Sequence, residues 1–157
     1  MASGRTFAPI WSGIYGQGRQ VNRYPWDAVV SFVFRYAPRD RDRSEVRILE
    51  VGCGTGNNLW FASREGFTVT GLDASEAAVD LARQRFKDED LSGEFNVGDF
   101  TCLPHEDDTF DLAIDLVAIT NFVYGAGTNA ISEARRVLKP GGYFIRSEQR
   151  RVVEACR

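Results

Sequence analysis

The sequence predicts an α/β fold, a mostly parallel sheet with helices on both faces, giving three layers. Three observations predict it. From residue 46 onward, short β-rich runs alternate with helical patterns across short loops, the signature of βαβ units. The run Arg47 to Val51 breaks into glycines at 52, 54 and 56 and then into the helix-forming Leu59-Trp60-Phe61-Ala62, a strand entering a tight turn and a helix start. Acids stand at or just past four strand ends, at Glu50, Asp73, Asp99 and Asp115. Parallel sheets with right-handed crossovers bind ligands at the carboxyl ends of their strands, so these acids mark one rim as a ligand site.

The elements follow in order. Residues 1–24 hold Trp11, Tyr15 and Tyr24 among glycines without a clean period, and read as an irregular arm that caps the core or covers a ligand. Pro25 suits the first turn of a helix, and Trp26, Val29, Val30, Val33 and Ala37 give that helix one apolar face. Arg39 to Glu45 alternates charges and reads as a solvated connector. The strand at 47–51 and its glycine turn lead to a helix from about Asn57 to Glu65, which Gly66 ends. Phe67 to Leu72 is a second strand, and Ser75 caps a helix over Glu76–Phe86. Glu94–Val97 and Phe110–Asp115 are the third and fourth strands. Ala130, Ala134, Val137 and Leu138 share a helix face, and Pro140-Gly141-Gly142 turns into a fifth strand, Tyr143–Ile145.

Composition bounds the class. A chain of 157 residues is read as one domain: an arm and helix over 1–45, a ligand-binding core over 46–145 and a tail over 146–157. The net charge of −3 carries no electrostatic footprint for nucleic acid. Cys53, Cys102 and Cys156 show neither metal spacing nor a disulfide framework. No apolar run reaches signal-peptide or membrane-spanning length, so a soluble, cytoplasmic protein is expected, with no membrane partner.

The glycine turn offers bare backbone to a ligand, with helix-start N–H groups aimed at an anion. Asp73 follows Gly52 by 21 residues, at the tip of the next strand, where a carboxylate can accept two ribose hydroxyls. Asp99 with Phe100 suits an adenine amino group and ring. Dinucleotide binding is disfavoured, because that fingerprint wants a glycine at position 57, which is Asn57.

On five blocks, the chain resembles the class I S-adenosylmethionine-dependent methyltransferases, with a Rossmann-like sheet. They are Ile48-Leu49-Glu50-Val51-Gly52-Cys53-Gly54-Thr55-Gly56, Gly71-Leu72-Asp73-Ala74-Ser75, Gly98-Asp99-Phe100, Phe110 to Asp115 and Ala134 to Tyr143. The resemblance implies strand order 3-2-1-4-5. It implies S-adenosylmethionine as cofactor, S-adenosylhomocysteine as product and no metal. Glu50, Gly52, Cys53, Gly54, Gly56 and Asn57 would face the methionine part, Asp73 with Ala74 the ribose, and Asp99 with Phe100 the adenine. Asp115 is a candidate for a cofactor, acceptor or catalytic role, beside the plainer role of a helix cap. Thr120 and Asn121 would lie on the side of a small-molecule acceptor. Trp11 and Tyr15, with Tyr24, are candidates for a lid over the methionine end. His105 reads as an exposed loop residue, and Cys53 as unreactive.

The family sheet usually ends in an antiparallel hairpin beyond the fifth strand. Only 12 residues follow Ile145 here, with Val152-Val153 as their apolar pair. The hairpin is therefore expected to be absent and the fifth strand to be an edge, in a homodimer paired through that edge or in a truncated copy. A cofactor-binding module without transfer activity is the alternative function.

Overall fold

The computed structural model describes residues 13–15, 17–18, 21–116, 126–146 and 151–155. Trp11, Thr120 and Asn121 lie outside them. The described elements are α1 (Asp27–Tyr36), β1 (Arg47–Val51), α2 (Asn57–Arg64), β2 (Thr68–Asp73), α3 (Glu76–Asp88), β3 (Glu94–Val97), β4 (Phe110–Asp115), α4 (Ala126–Val137), β5 (Leu138–Arg146) and β6 (Arg151–Glu154).

One sheet runs β3-β2-β1-β4-β5-β6. The first five strands are parallel, and β6 runs antiparallel to β5. Side chains along each central strand alternate between two cores. Ile48, Val69, Leu112 and Ile114 join Val29, Phe32 and Val33 of α1, Leu59 and Ala62 of α2, and Val79, Ala82 and Phe86 of α3. Leu49, Val51, Leu72, Phe110, Ala113 and Phe144 join Ala130, Ala134 and Val137 of α4, with Phe100 and Leu103. Burial on both faces is why these strands read as continuous apolar runs.

Three expectations change. The antiparallel arm beyond the fifth strand is not wholly absent, because β6 pairs Arg151 with Arg146 through to Glu154 with Tyr143. Its main chain supplies that pairing, and Val152 packs against the core while Val153 stays 36% exposed. The fifth strand is therefore not an edge, and the premise for a dimer through it is removed. That strand is also longer than predicted: Pro140 and the glycines lie inside β5, where the register against β4 shifts between Phe110 and Leu112. Proline is tolerated at such an irregularity because no ladder bond is asked of it.

The connector is not simply solvated. Arg43 donates to the carbonyl of Glu65 at 2.9 Å and its carboxylate at 2.7 Å, and lies over the rings of Phe34 and Phe67. Arg41 reaches the buried Asp111 at 2.8 Å. The connector thereby ties α1 to the amino-terminal rim of the sheet.

Candidate cofactor site

The glycine turn is built as its residues demand. Gly52, Gly54 and Gly56 have φ of 72°, 53° and 75°, a region that side chains with a Cβ rarely adopt. The amides of Gly52 and Cys53 both donate to Leu72 O, at 2.7 and 3.1 Å, pinning the turn to the end of β2. Trp60 N–H closes the first turn of α2 onto Gly56 O at 2.8 Å.

Asp73 ends β2 and is 9% exposed. Its Oδ2 accepts from Gly54 N–H and its Oδ1 from Ser75 N–H, each at 2.8 Å. Burial raises its pKa, and these amides with that of Ala74 pull it back. Each oxygen keeps a second acceptor site, so the carboxylate is oriented without being used up. Gly98 N–H donates to Asp73 O at 3.0 Å, bringing the third strand's end beside it. There Asp99 Oδ1 takes the backbone N–H and the hydroxyl of Thr101, at 2.8 and 2.7 Å. The ring of Phe100 is buried in the α4-side core.

Glu50 is 3% exposed. Its Oε1 accepts from Asn58 Nδ2 at 2.6 Å, and its Oε2 has no partner among the described residues. Burial pushes its pKa up to about 8, Asn58 opposes the rise, and Asp73 and Asp115 add to it. Asp115 is fully buried at the end of β4, in register with Arg146 of β5.

Tyr15 covers the turn. A Cβ built on Gly54 would stand 3.0 Å from its hydroxyl, so the phenol lies against bare backbone. Burial raises its pKa to about 12, with Asp73, Cys53 and Glu50 adding repulsion, and it stays protonated at working pH. Cys53 is buried, its thiol pKa pushed up by burial first and the two acids second, which makes it inert. Its sulfur fills the space that a Cβ on Gly71 would take, at 2.8 Å.

The Asn57 side chain holds the arm: its Nδ2 donates to Tyr24 O at 2.8 Å. Asn58, which sequence reasoning left unassigned, bridges Glu50 to the arm, because Trp26 N–H donates to its Oδ1 at 3.0 Å. Only its place two residues after the last glycine could have pointed to it. His105 belongs elsewhere. Its ring is partly buried edge-on to Phe110 at 5.1 Å, at the amino-terminal rim, and burial lowers its pKa. A groove of about 510 Å³ lined by Ser44, Arg47, Thr68 and Glu94 also lies on that far rim. Among the described residues no cluster has the make-up of a metal site, and no helix is long and apolar enough to cross a membrane.

The residues fit a nucleoside ligand with a cationic tail. An oriented carboxylate with spare acceptor sites suits hydroxyls, and a buried carboxyl oxygen without a partner suits a cation. One similar solved structure carries such a ligand in its name. The family model described as "Methyltransferase domain" matches residues 48–142. The Fatty-acid O-methyltransferase of Mycolicibacterium smegmatis is 35% identical over 66% of this chain and 37% of its own length. A probable phthiotriol/phenolphthiotriol dimycocerosates methyltransferase of Mycobacterium ulcerans is 34% identical over 72% of this chain and 43% of its own length. The chain thus spans well under half of either relative. Among solved structures, the PH0226 protein of Pyrococcus horikoshii superposes with a TM-score of 0.67 at 32% identity, covering 76% of this chain and 51% of that one. A SAM-dependent methyltransferase of Methanosarcina mazei gives 0.61 at 27%, covering 73% and 55%. The family model spans the glycine turn and the acids at 50, 73, 99 and 115, the sheet order is β3-β2-β1-β4-β5-β6, and the chain belongs to the class I S-adenosylmethionine-dependent methyltransferase domains.

Proposed function

We propose that the chain binds S-adenosylmethionine along the carboxyl ends of β1, β2 and β3 and transfers its methyl to a small-molecule acceptor by in-line displacement. The observation that carries the reading is the pair of buried acids flanking the glycine turn, Glu50 and Asp73, each with acceptor capacity left over. Asp73 would take the ribose hydroxyls. Glu50 would take the ammonium of the methionine tail, while the helix-start amides of α2 meet its carboxylate. Asp99 would meet the adenine edge, and Tyr15 would close over the methionine end. The cofactor supplies a sulfonium whose methyl is already activated, so the protein's task is alignment and exclusion of water. A base is needed only where the acceptor is a hydroxyl or a protonated amine, and Asp115 is the candidate nearest the fourth strand end.

Calorimetric titration with S-adenosylmethionine and S-adenosylhomocysteine tests the shared premise, and no heat with either sinks it. Accumulation of S-adenosylhomocysteine with fatty acids and hydroxylated lipids, the acceptors suggested by relatives' names, then tests transfer. Binding without transfer would favour the second reading, a cofactor-binding module. One observation favours that reading: the cyclase SpnF, at a TM-score of 0.68 and 26% identity, carries a different activity in its name.

A further inference from the structure

We propose that Asn58 is a positioning residue that couples docking of the N-terminal arm to the charge on Glu50. The inference rests on the reading of Glu50 as the receptor for the ligand's cationic end. Asn58 is 2% exposed, and both halves of its amide are spoken for. Its Nδ2 donates to Glu50 Oε1 at 2.6 Å, and its Oδ1 accepts from Trp26 N–H at 3.0 Å. The backbone N–H of Trp26 can only donate, so the amide sense is forced. Asn57 grips the same segment through Tyr24 O at 2.8 Å. The first turn of α2 thus holds residues 24–26 by two side chains, and the arm leads back to Tyr15 on Gly54.

The surroundings of Glu50 leave its charge to the ligand. Asp73 of β2 and Asp115 of β4 face it, as do Tyr15 of the arm and Cys53 of the turn. Among the described residues along the strand ends, Arg146 of β5 is the register partner of Asp115. Ionisation of Glu50 turns the Asn58 bond into a charge-assisted one, roughly twice as strong as a neutral one. That fixes the amide, and with it the acceptor for Trp26 N–H. Linkage is reciprocal: a cation at Glu50 Oε2 tightens the arm, and a docked arm favours the cation.

Two variants separate this coupling from simple packing. Asn58→Asp keeps an acceptor for Trp26 N–H and replaces the donor to Glu50 by a second acid. Asn58→Leu removes both bonds. Binding of S-adenosylhomocysteine is measured by calorimetry from pH 6 to 9 in buffers of different ionisation enthalpy, beside hydrogen exchange of the Trp26 amide. The wild-type protein should release up to about one proton on binding below pH 8, and Trp26 should exchange several-fold more slowly with ligand. Asn58→Asp should bind about tenfold more weakly at pH 7, one pH unit of extra cost, and release its proton up to a higher pH. Its Trp26 amide should stay protected. Asn58→Leu should lose that protection. In the ligand-free protein, Trp26 protection should rise as the pH passes 8, and Glu50→Gln should abolish the rise. Wild-type proton release and affinity in Asn58→Asp, or a Trp26 amide indifferent to pH and to ligand, would overturn the coupling. Absence of heat in the wild-type protein together with the pH-dependent Trp26 protection would instead overturn the ligand reading and leave the coupling standing.

Discussion

Two buried acids at opposite rims of the sheet are treated in opposite ways. Asp111, near the amino end of β4, is surrounded by compensation: Arg41 at 2.8 Å, Lys139 at 3.1 Å and Arg47 N–H at 2.8 Å. Glu50, at the carboxyl end of β1, has one amide and the neighbouring charges of Asp73 and Asp115. Burying a carboxylate is costly unless it is paired and hydrogen-bonded. The amino-terminal rim meets that requirement within the protein. At the other rim it is left open, and a buried carboxyl with its pKa pushed up is a candidate for a functional site. The contrast separates an acid paired within the chain from one that the proposed function assigns to a ligand.

The sharpest way to break the contrast is Glu50→Gln, which should act in opposite directions on stability and binding. The pKa of Glu50 is raised from 4.5 to about 8 in the folded state. Its contribution is therefore full below pH 4.5 and lost as the pH rises through 8. Relative to wild type, the variant should gain on the order of 3 kcal/mol between pH 4.5 and 7, read by urea denaturation at both pH values. Its affinity for S-adenosylhomocysteine should fall. Asp111→Ala should do the reverse, losing about 2 kcal/mol in the same denaturation experiment with affinity unchanged. The loss stays moderate because the Arg41 and Lys139 side chains are 35% and 31% exposed and can return to water. Gly54→Ala should cost about 1 kcal/mol, because a Cβ at φ 53° is strained and meets the Tyr15 hydroxyl. The same urea denaturation reads that cost. The smallest effect belongs to His105→Gln, on the rim of Asp111, where affinity should stay within error by calorimetry.

The sequence made one rim much more legible than the other. The glycines at 52, 54 and 56 and the acids at 50, 73, 99 and 115 stand at strand ends, and strand ends can be read from where apolar runs stop. The central strands were legible for the same reason. Asp111 was not, because it sits inside Phe110-Asp111-Leu112, where one acid in an apolar run gives no sign of partners 28 and 70 residues away. β6 was missed because its pairing is made by main chain, to which composition is blind. Asn58 was visible as a letter, but its role arises from a contact with Trp26 across 32 residues. The arginines of the connector read as solvated because alternation of charge hides which members reach back to the sheet.

Gly71 has a consequence of another kind. Cys53 Sγ, Phe95 and Leu59 converge within 3 Å of where its Cβ would stand, so the turn after β1 beds down in a notch one hydrogen atom wide on β2. The notch works as a gauge block. It fixes how far the glycine turn lies from Asp73, and any side chain at 71 would lengthen that distance before it touched a group of the proposed site.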